Sequence, residues 1–153
     1  EMQRSLVGSE MCIRDSYYDH LKAVSDFRPC MEADPVCKVA VFAPDAEAAV
    51  YPALKQKLEP EFPVVLSGST WVDIMNPGIS KGTALAFLRK RLGIAAEECM
   101  TFGDYLNDVS LLENSACSYA MANAHPDLKK IAAAIAPGND EGGVMKVLEQ
   151  AFF

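Results

Sequence analysis

From Val36 to Met75 the apolar positions fall into short β-branched runs around one helical stripe. Val36-Cys37-Lys38-Val39-Ala40-Val41-Phe42 is mostly apolar and predicts a strand. Pro44-Asp45 then opens a helix through about Leu58, with Asp45 as N-cap and Val50, Leu54 and Leu58 on one face. Pro60 and Pro63 end it. Val64-Val65-Leu66-Ser67 and Trp71-Val72-Asp73-Ile74-Met75 predict two strands joined by Gly68-Ser69-Thr70. The result is a βαββ-like unit, with strand pairing on one side of a helix.

At Asn76-Pro77-Gly78 the pattern changes, and a domain boundary is expected there. Ser80 can cap a helix from Lys81 to Leu92 in which Leu85, Leu88 and Leu92 share a face, with Gly93 ending it. A short turn at Ala95–Glu98 leads to a strand at Cys99–Phe102, a loop at Gly103–Asp108 and a helix at Val109–Asn114. A strand at Cys117–Met121 and a helix from Pro126 to about Ala132 follow. Ala133–Ala136 is a last short strand, 138–143 a loop, and Val144–Phe152 a closing helix. Strands alternating with helices imply βαβ units and a parallel sheet, an α/β fold.

The amino-terminal stretch fits neither pattern. Residues 5–16 (SLVGSEMCIRDS) show no clear period and resemble the translated read-through of a sequencing adaptor. Residues 1–16 are therefore set aside as a non-native lead, the alternative being a frayed terminus. The adaptor reading implies a natural chain cut off upstream. Tyr17–Val24 predicts a short helix, and Asp26–Pro35, with two prolines, a loop. The expected segments are 1–16, 17–77 and 78–153.

Composition narrows the function classes. The 153 residues are 50% hydrophobic and 23% charged, which suits a soluble globular protein. A net charge of −7 argues against a general binder of nucleic acid or anionic membrane, yet one well-placed lysine can still serve an anionic substrate. The five cysteines are odd in number and form no C-x-x-C, so reduced thiols in a cytoplasmic protein are expected. No apolar run reaches the ~18 residues of a membrane span.

Candidate chemistry centres on Met100-Thr101-Phe102-Gly103-Asp104-Tyr105-Leu106-Asn107-Asp108. A buried strand ending in a glycine turn places Asp104, Asn107 and Asp108 at its carboxyl end, where open α/β sheets bind ligands. Such oxygen donors suit Mg²⁺. The competing reading is a plain strand-to-helix turn in which Asn107 or Asp108 caps the next helix; the stretch alone leaves both open. Lys81 reads first as a solvent-facing lysine, although its first-turn position opposes the helix dipole and a bound anion there would offset that. Asn123-Ala124-His125-Pro126 follows an apolar strand at the same sheet edge, and His125 reads better as a loop residue than as an acid or base. Asn139-Asp140-Glu141-Gly142-Gly143 reads as a solvated turn. Trp71 reads as core, while Tyr105 is either core or pocket wall. No G-x-x-x-x-G-K-[S/T], G-x-S-x-G or H-E-x-x-H is present.

Four ordered pieces together resemble the carboxyl-terminal half of a haloacid dehalogenase-like (HAD) phosphatase of the Cof-type sugar-phosphatase branch. They are Gly78-Ile79-Ser80-Lys81-Gly82-Thr83-Ala84-Leu85, Gly103–Asp108, Ala120-Met121-Ala122-Asn123-Ala124 and Asn139–Val144. Residues 17–77 resemble part of that branch's α/β cap domain, and 78–153 the carboxyl-terminal part of its Rossmann-like core. The resemblance implies that Lys81 holds the substrate phosphate, Asp104 binds Mg²⁺ and Asn107 contacts phosphate or substrate. Asp108 would support the metal or orient Lys81, and Asn123 and Asp140 would fix the surrounding loops. It implies hydrolysis of a small phosphorylated metabolite, such as a sugar phosphate, through an aspartyl-phosphate. The family's nucleophile lies in an Asp-x-Asp-Gly-Thr motif, which this sequence lacks. The chain is therefore expected to be a fragment, inactive alone. The alternatives are a non-catalytic metal- or phosphate-binding module and an interaction domain in which Asp104–Asp108 is only a capped turn.

Overall fold

The computed structural model describes residues 5–7, 21–33 and 35–153. The chain divides into two compact units, Glu1–Cys37 and Lys38–Phe153. In the first, β1 (Ser5–Val7) pairs in parallel with β2 (Leu21–Ala23), and α1 spans Arg28–Ala33. Two expectations fail here. Leu21–Ala23 is a strand rather than part of a helix, because pairing with β1 overrides a weak helical period; residues 17–20 lie outside the described residues. Arg28–Ala33 is helical although Pro29 suggested a loop. A proline in a first turn removes an N–H that has no helical partner anyway, and the Asp26 carboxylate accepts the Arg28 N–H at 3.0 Å. Residues 5–7 also carry strand structure within the stretch set aside as a lead; the rest of residues 1–16 lies outside the described residues.

The second unit opens with β3 (Lys38–Phe42), a π-helical turn at Ala46–Val50, α2 (Tyr51–Leu58), β4 (Val64–Gly68) and β5 (Trp71–Met75). This is the expected βαββ pattern. The strands form an antiparallel sheet in the order β3-β5-β4. Val64, Leu66 and Val72 are buried with Ala46, and Val50, Leu54 and Leu58 pack against them, so the helical stripe covers one face of the sheet. Asp45 precedes the π-helical turn, but its side chain makes no capping bond. Trp71 is only half-buried and meets Phe42 edge-on with ring centroids 5.2 Å apart.

After Asn76 come α3 (Lys81–Leu92), β6 (Met100–Gly103), α4 (Val109–Glu113), β7 (Cys117–Met121), α5 (Pro126–Ile131), β8 (Ala134–Ala136) and α6 (Gly143–Phe152). Strands β6-β7-β8 pair in parallel, as the alternation predicted. Their core is Leu112, Ala120, Met121, Ala124, Leu128, Ala136 and Val147. The predicted ends of α3 hold. The Ser80 hydroxyl accepts the Thr83 N–H at 3.1 Å, Thr83 returns a bond to the Ser80 N–H, and Gly93 closes the helix at φ 69°. The face shared by Leu85, Leu88 and Leu92 is not the buried one: Leu88 and Leu92 are 51% and 66% exposed, and Gly82 is the buried residue of α3. The helix leans on α4 through Gly82 instead, and Arg89 donates to the Asn114 carbonyl at 2.9 Å. No helix among the described residues is long and apolar enough to cross a membrane.

Candidate active site

Strand β6 delivers the chain to the carboxyl edge of the parallel sheet, where it turns at once into a 3-10 turn, Leu106–Asp108, and then α4. Gly103 permits the reversal. A Cβ there would lie 2.6 Å from the Asp108 Cβ and 2.9 Å from a Leu112 methyl, closer than side chains pack. Asp104 leaves the strand end exposed, whereas Asp108 folds back into it. The Asp108 side chain is only 6% exposed, yet its carboxylate is fully engaged. Oδ2 accepts the Asp104 N–H at 3.0 Å and, less closely, the Tyr105 N–H at 3.4 Å. Oδ1 accepts from the Lys81 ammonium. Asp108 thus binds back within its own turn, and its side chain does not cap α4.

Lys81 reaches this carboxylate because α3 comes unusually close to α4. A Cβ on Gly82 would sit 2.2 Å from the Ser110 carbonyl oxygen, so a glycine is required at the contact. The Gly82 N–H donates to Ser110 Oγ at 3.1 Å. The cation that the first turn of a helix disfavours is neutralised by the Asp108 carboxylate. The Lys81 side chain remains half-exposed, so its ammonium can also meet a ligand from solvent.

The loops after β7 and β8 close on the same edge. Asn123 Oδ1 accepts the Asn139 N–H at 2.9 Å, and Asn139 Nδ2 donates to Asp104 Oδ2 at 2.9 Å. The His125 N–H donates to the Asp104 carbonyl at 2.8 Å. The His125 ring is occupied as a cap: Nδ1 accepts the Asp127 N–H at 3.2 Å, which puts the proton of neutral imidazole on Nε2. Tyr105 packs edge-on against His125, with ring centroids 5.5 Å apart. Burial first, and then the neighbouring Glu47 charge and hydrogen bond, hold the Tyr105 phenol above its ordinary 10.0.

Of the residues singled out in the sequence, Lys81, Asp104 and Asp108 form one connected cluster. Asn123 joins it through Asn139, a residue the sequence reading placed in the motif but gave no role. Asn107 is half-buried on the same turn as Asp108, and Asp140 is exposed beside Asn139. Only the orientation of the 139–141 turn decides that the amide at 139, rather than the carboxylate at 140, meets Asp104.

As a cation site the cluster is partial. No three His, Cys, Asp or Glu side chains converge on one point among the described residues. Asp104 fits as one hard oxygen ligand at an exposed edge, with water completing the shell as Mg²⁺ prefers. Asp108 has both oxygens committed to protein donors.

The match to a haloacid dehalogenase-like hydrolase model runs over residues 14–148, nearly the whole chain. The chain belongs to the haloacid dehalogenase-like hydrolases. It is 47% identical over 70 residues to phosphatase YwpJ of Bacillus subtilis, covering 46% of this chain and 25% of that protein. It is 34% identical over 88 residues to the 5-amino-6-(5-phospho-D-ribitylamino)uracil phosphatase YcsE of the same organism, covering 58% of this chain and 35% of that one. The fold is also similar to solved structures. A Streptococcus mutans protein superposes with a TM-score of 0.80 at 28% identity, over 95% of this chain and 57% of its own. A HAD-like hydrolase from B. subtilis gives 0.75 at 31% identity, over 85% and 47%. The chain therefore spans about half the length of these structures and less of the curated relatives. The expected α/β class and HAD family are the ones found.

Proposed function

We propose that the protein is a Mg²⁺-dependent HAD phosphatase that hydrolyses a small phosphorylated metabolite, such as a sugar phosphate, and that this chain carries the cation- and phosphate-holding part of the site. The carrying observation is the Lys81–Asp108 pair beside Asp104 at the carboxyl edge of β6. Two relatives with phosphatase names point the same way.

Asp104 would hold Mg²⁺ and Lys81 the phosphate, placing positive charge where anionic oxygens gather. Asp108 would aim the Lys81 ammonium, the second of the two roles open to it. Asn139 fixes one Asp104 oxygen through its amide and leaves the other for the cation. The covalent step needs an Asp to attack phosphorus, another to protonate the leaving oxygen, and water to cleave the aspartyl-phosphate. No Asp-x-Asp-Gly-Thr occurs in these residues, so this chain alone is expected to bind and not to turn over. That lack favours a second reading, a module that binds metal or phosphate without catalysis.

Amide NMR spectra of the chain test the proposal. Mg²⁺ should shift the Asp104 and Tyr105 signals, and inorganic phosphate with Mg²⁺ should shift Gly82. Asp104→Asn should remove the first response and Lys81→Ala the second. Absence of both responses, or their survival in the variants, overturns the reading. Aryl phosphate turnover by this chain, lost in Asp104→Ala, would overturn the need for a further nucleophile.

A further inference from the structure

Tyr105 occupies a place that the proposed reaction does not use. It stands between Asp104 and Asp108, and its own backbone is part of their geometry. Its N–H points at Asp108 Oδ2, and its carbonyl accepts the Asp108 N–H at 3.0 Å. Its side chain belongs elsewhere. With Leu106, it packs against the apolar cluster Ala46, Val64, Leu66 and Val72 of the antiparallel sheet. On its other side the ring meets the edge of His125, whose N–H holds the Asp104 carbonyl. One side chain is thus gripped by the βαββ layer and by the loop after β7, while its backbone sets the turn between Asp104 and Asp108.

We propose that Tyr105 is a positioning residue that couples the antiparallel βαββ layer to the Asp104–Asp108 turn, its ring packed in the layer and its backbone in the turn. Movement of that layer pulls on the Tyr105 ring, and through its backbone on the bonds that hold Asp108 to the amides of Asp104 and Tyr105. Loss of the ring loosens both elements together, since neither can relax without the other. The consequence for cation and phosphate binding rests on the proposed function; the coupling does not.

Amide hydrogen exchange on the full chain, without Mg²⁺ or phosphate, reads the coupling directly. The probes are the Asp104 and Tyr105 amides on one side and the Ala49 amide, bonded to the Asp45 carbonyl at 3.0 Å, on the other. Tyr105→Ala removes the ring and should speed exchange about threefold to tenfold at both sets of probes. Tyr105→Phe, which retains the ring, should keep most of the protection. The Ala132 amide after α5, bonded to the Leu128 carbonyl at 3.2 Å, should be unchanged in both. Effects confined to the turn that carries Tyr105 overturn the proposal, as does equal acceleration at Ala132. Since no ligand is present, this outcome is independent of whether the site binds Mg²⁺.

Discussion

Lys81 and Asp108 stand 27 positions apart in the chain and form an ion pair at the carboxyl edge of the parallel sheet. The pair is asymmetric. Asp108 is buried and has further bonds to the amides of Asp104 and Tyr105, whereas the Lys81 side chain is 51% exposed. The two truncations should therefore differ. Asp108→Ala removes the buried carboxylate that accepts these part-buried amides and should cost about 1–3 kcal/mol in urea unfolding. Lys81→Ala, its charge largely solvated, should cost about 1 kcal/mol or less. The order should invert for phosphate: Lys81→Ala should abolish the Gly82 response to phosphate by removing the binding charge itself. Equal stability losses would show that the carboxylate does not organise the turn.

The Lys81–Asp108 contact depends on how closely α3 and α4 approach. A methyl at Gly82 would lie 2.2 Å from a backbone oxygen, which cannot swing aside as a side chain could. Gly82→Ala should cost about 1–3 kcal/mol by overpacking, beyond the gain expected from alanine's better helix propensity. It should also displace the Lys81 ammonium. A crystal structure of the variant would show the separation directly, and an unchanged Tm would contradict the close approach.

What was legible in the sequence depended on how local its cause was. The ends of α3 could be read because the Ser80–Thr83 capping bonds and the Gly93 turn are made within a few residues. The parallel sheet could be read from alternation. The turn at the end of β6 could be read, but not which of its carboxylates it would bury. That choice follows from Lys81, which comes from another element. Helix α1 is not legible because a proline reads as a breaker, although a first-turn position makes Pro29 harmless. The apolar stripe of α3 is legible but its exposure is not, because contact between helices, not hydrophobic period, decides which side faces α4.

That stripe has a measurable consequence. Leu88 and Leu92 lie 51% and 66% exposed, beside Phe87 at 62%. Clustered apolar surface of this kind favours association. Leu88→Gln with Leu92→Gln should change unfolding free energy by about 0.5 kcal/mol or less, because little burial is lost. It should also lower self-association at high concentration, measured by sedimentation. A large loss of stability would mean that these side chains are packed in solution.

Asp127 gives a pH signature in the first turn of α5. Lys130, first through a side-chain hydrogen bond at 2.5 Å and then through its charge, holds the Asp127 carboxyl below its ordinary 3.8. A carboxylate with a depressed folded pKa contributes stability above its unfolded value and loses it as pH falls through the folded one. The Tm difference between the native chain and Asp127→Asn should therefore be present near neutral pH and shrink below 3.8. Both groups are exposed, so added salt should also diminish it. A difference that persists unchanged in strong acid would rule out the ion pair as its source.

Asn139 and Asp140 are neighbours with different work. The Asn139 backbone N–H is held by Asn123 Oδ1, and its side-chain amide donates to Asp104 Oδ2, while Asp140 is exposed on the same turn. An amide donor restrains the carboxylate without competing for its charge. Removing it in Asn139→Ala leaves Asp104 free to rotate and raises the cost of ordering it around a cation. Asn139→Ala should therefore weaken Mg²⁺ binding about tenfold, at the low end of the roughly 10–100-fold that follows loss of a group orienting a metal ligand. Asp140→Ala should weaken it less, since what it removes is a solvated charge. Asn123→Ala should act like Asn139→Ala, because it releases the turn that carries the amide. Calorimetric titration of Mg²⁺ into the three variants ranks them, and a larger loss in Asp140→Ala than in Asn139→Ala would reverse the assignment.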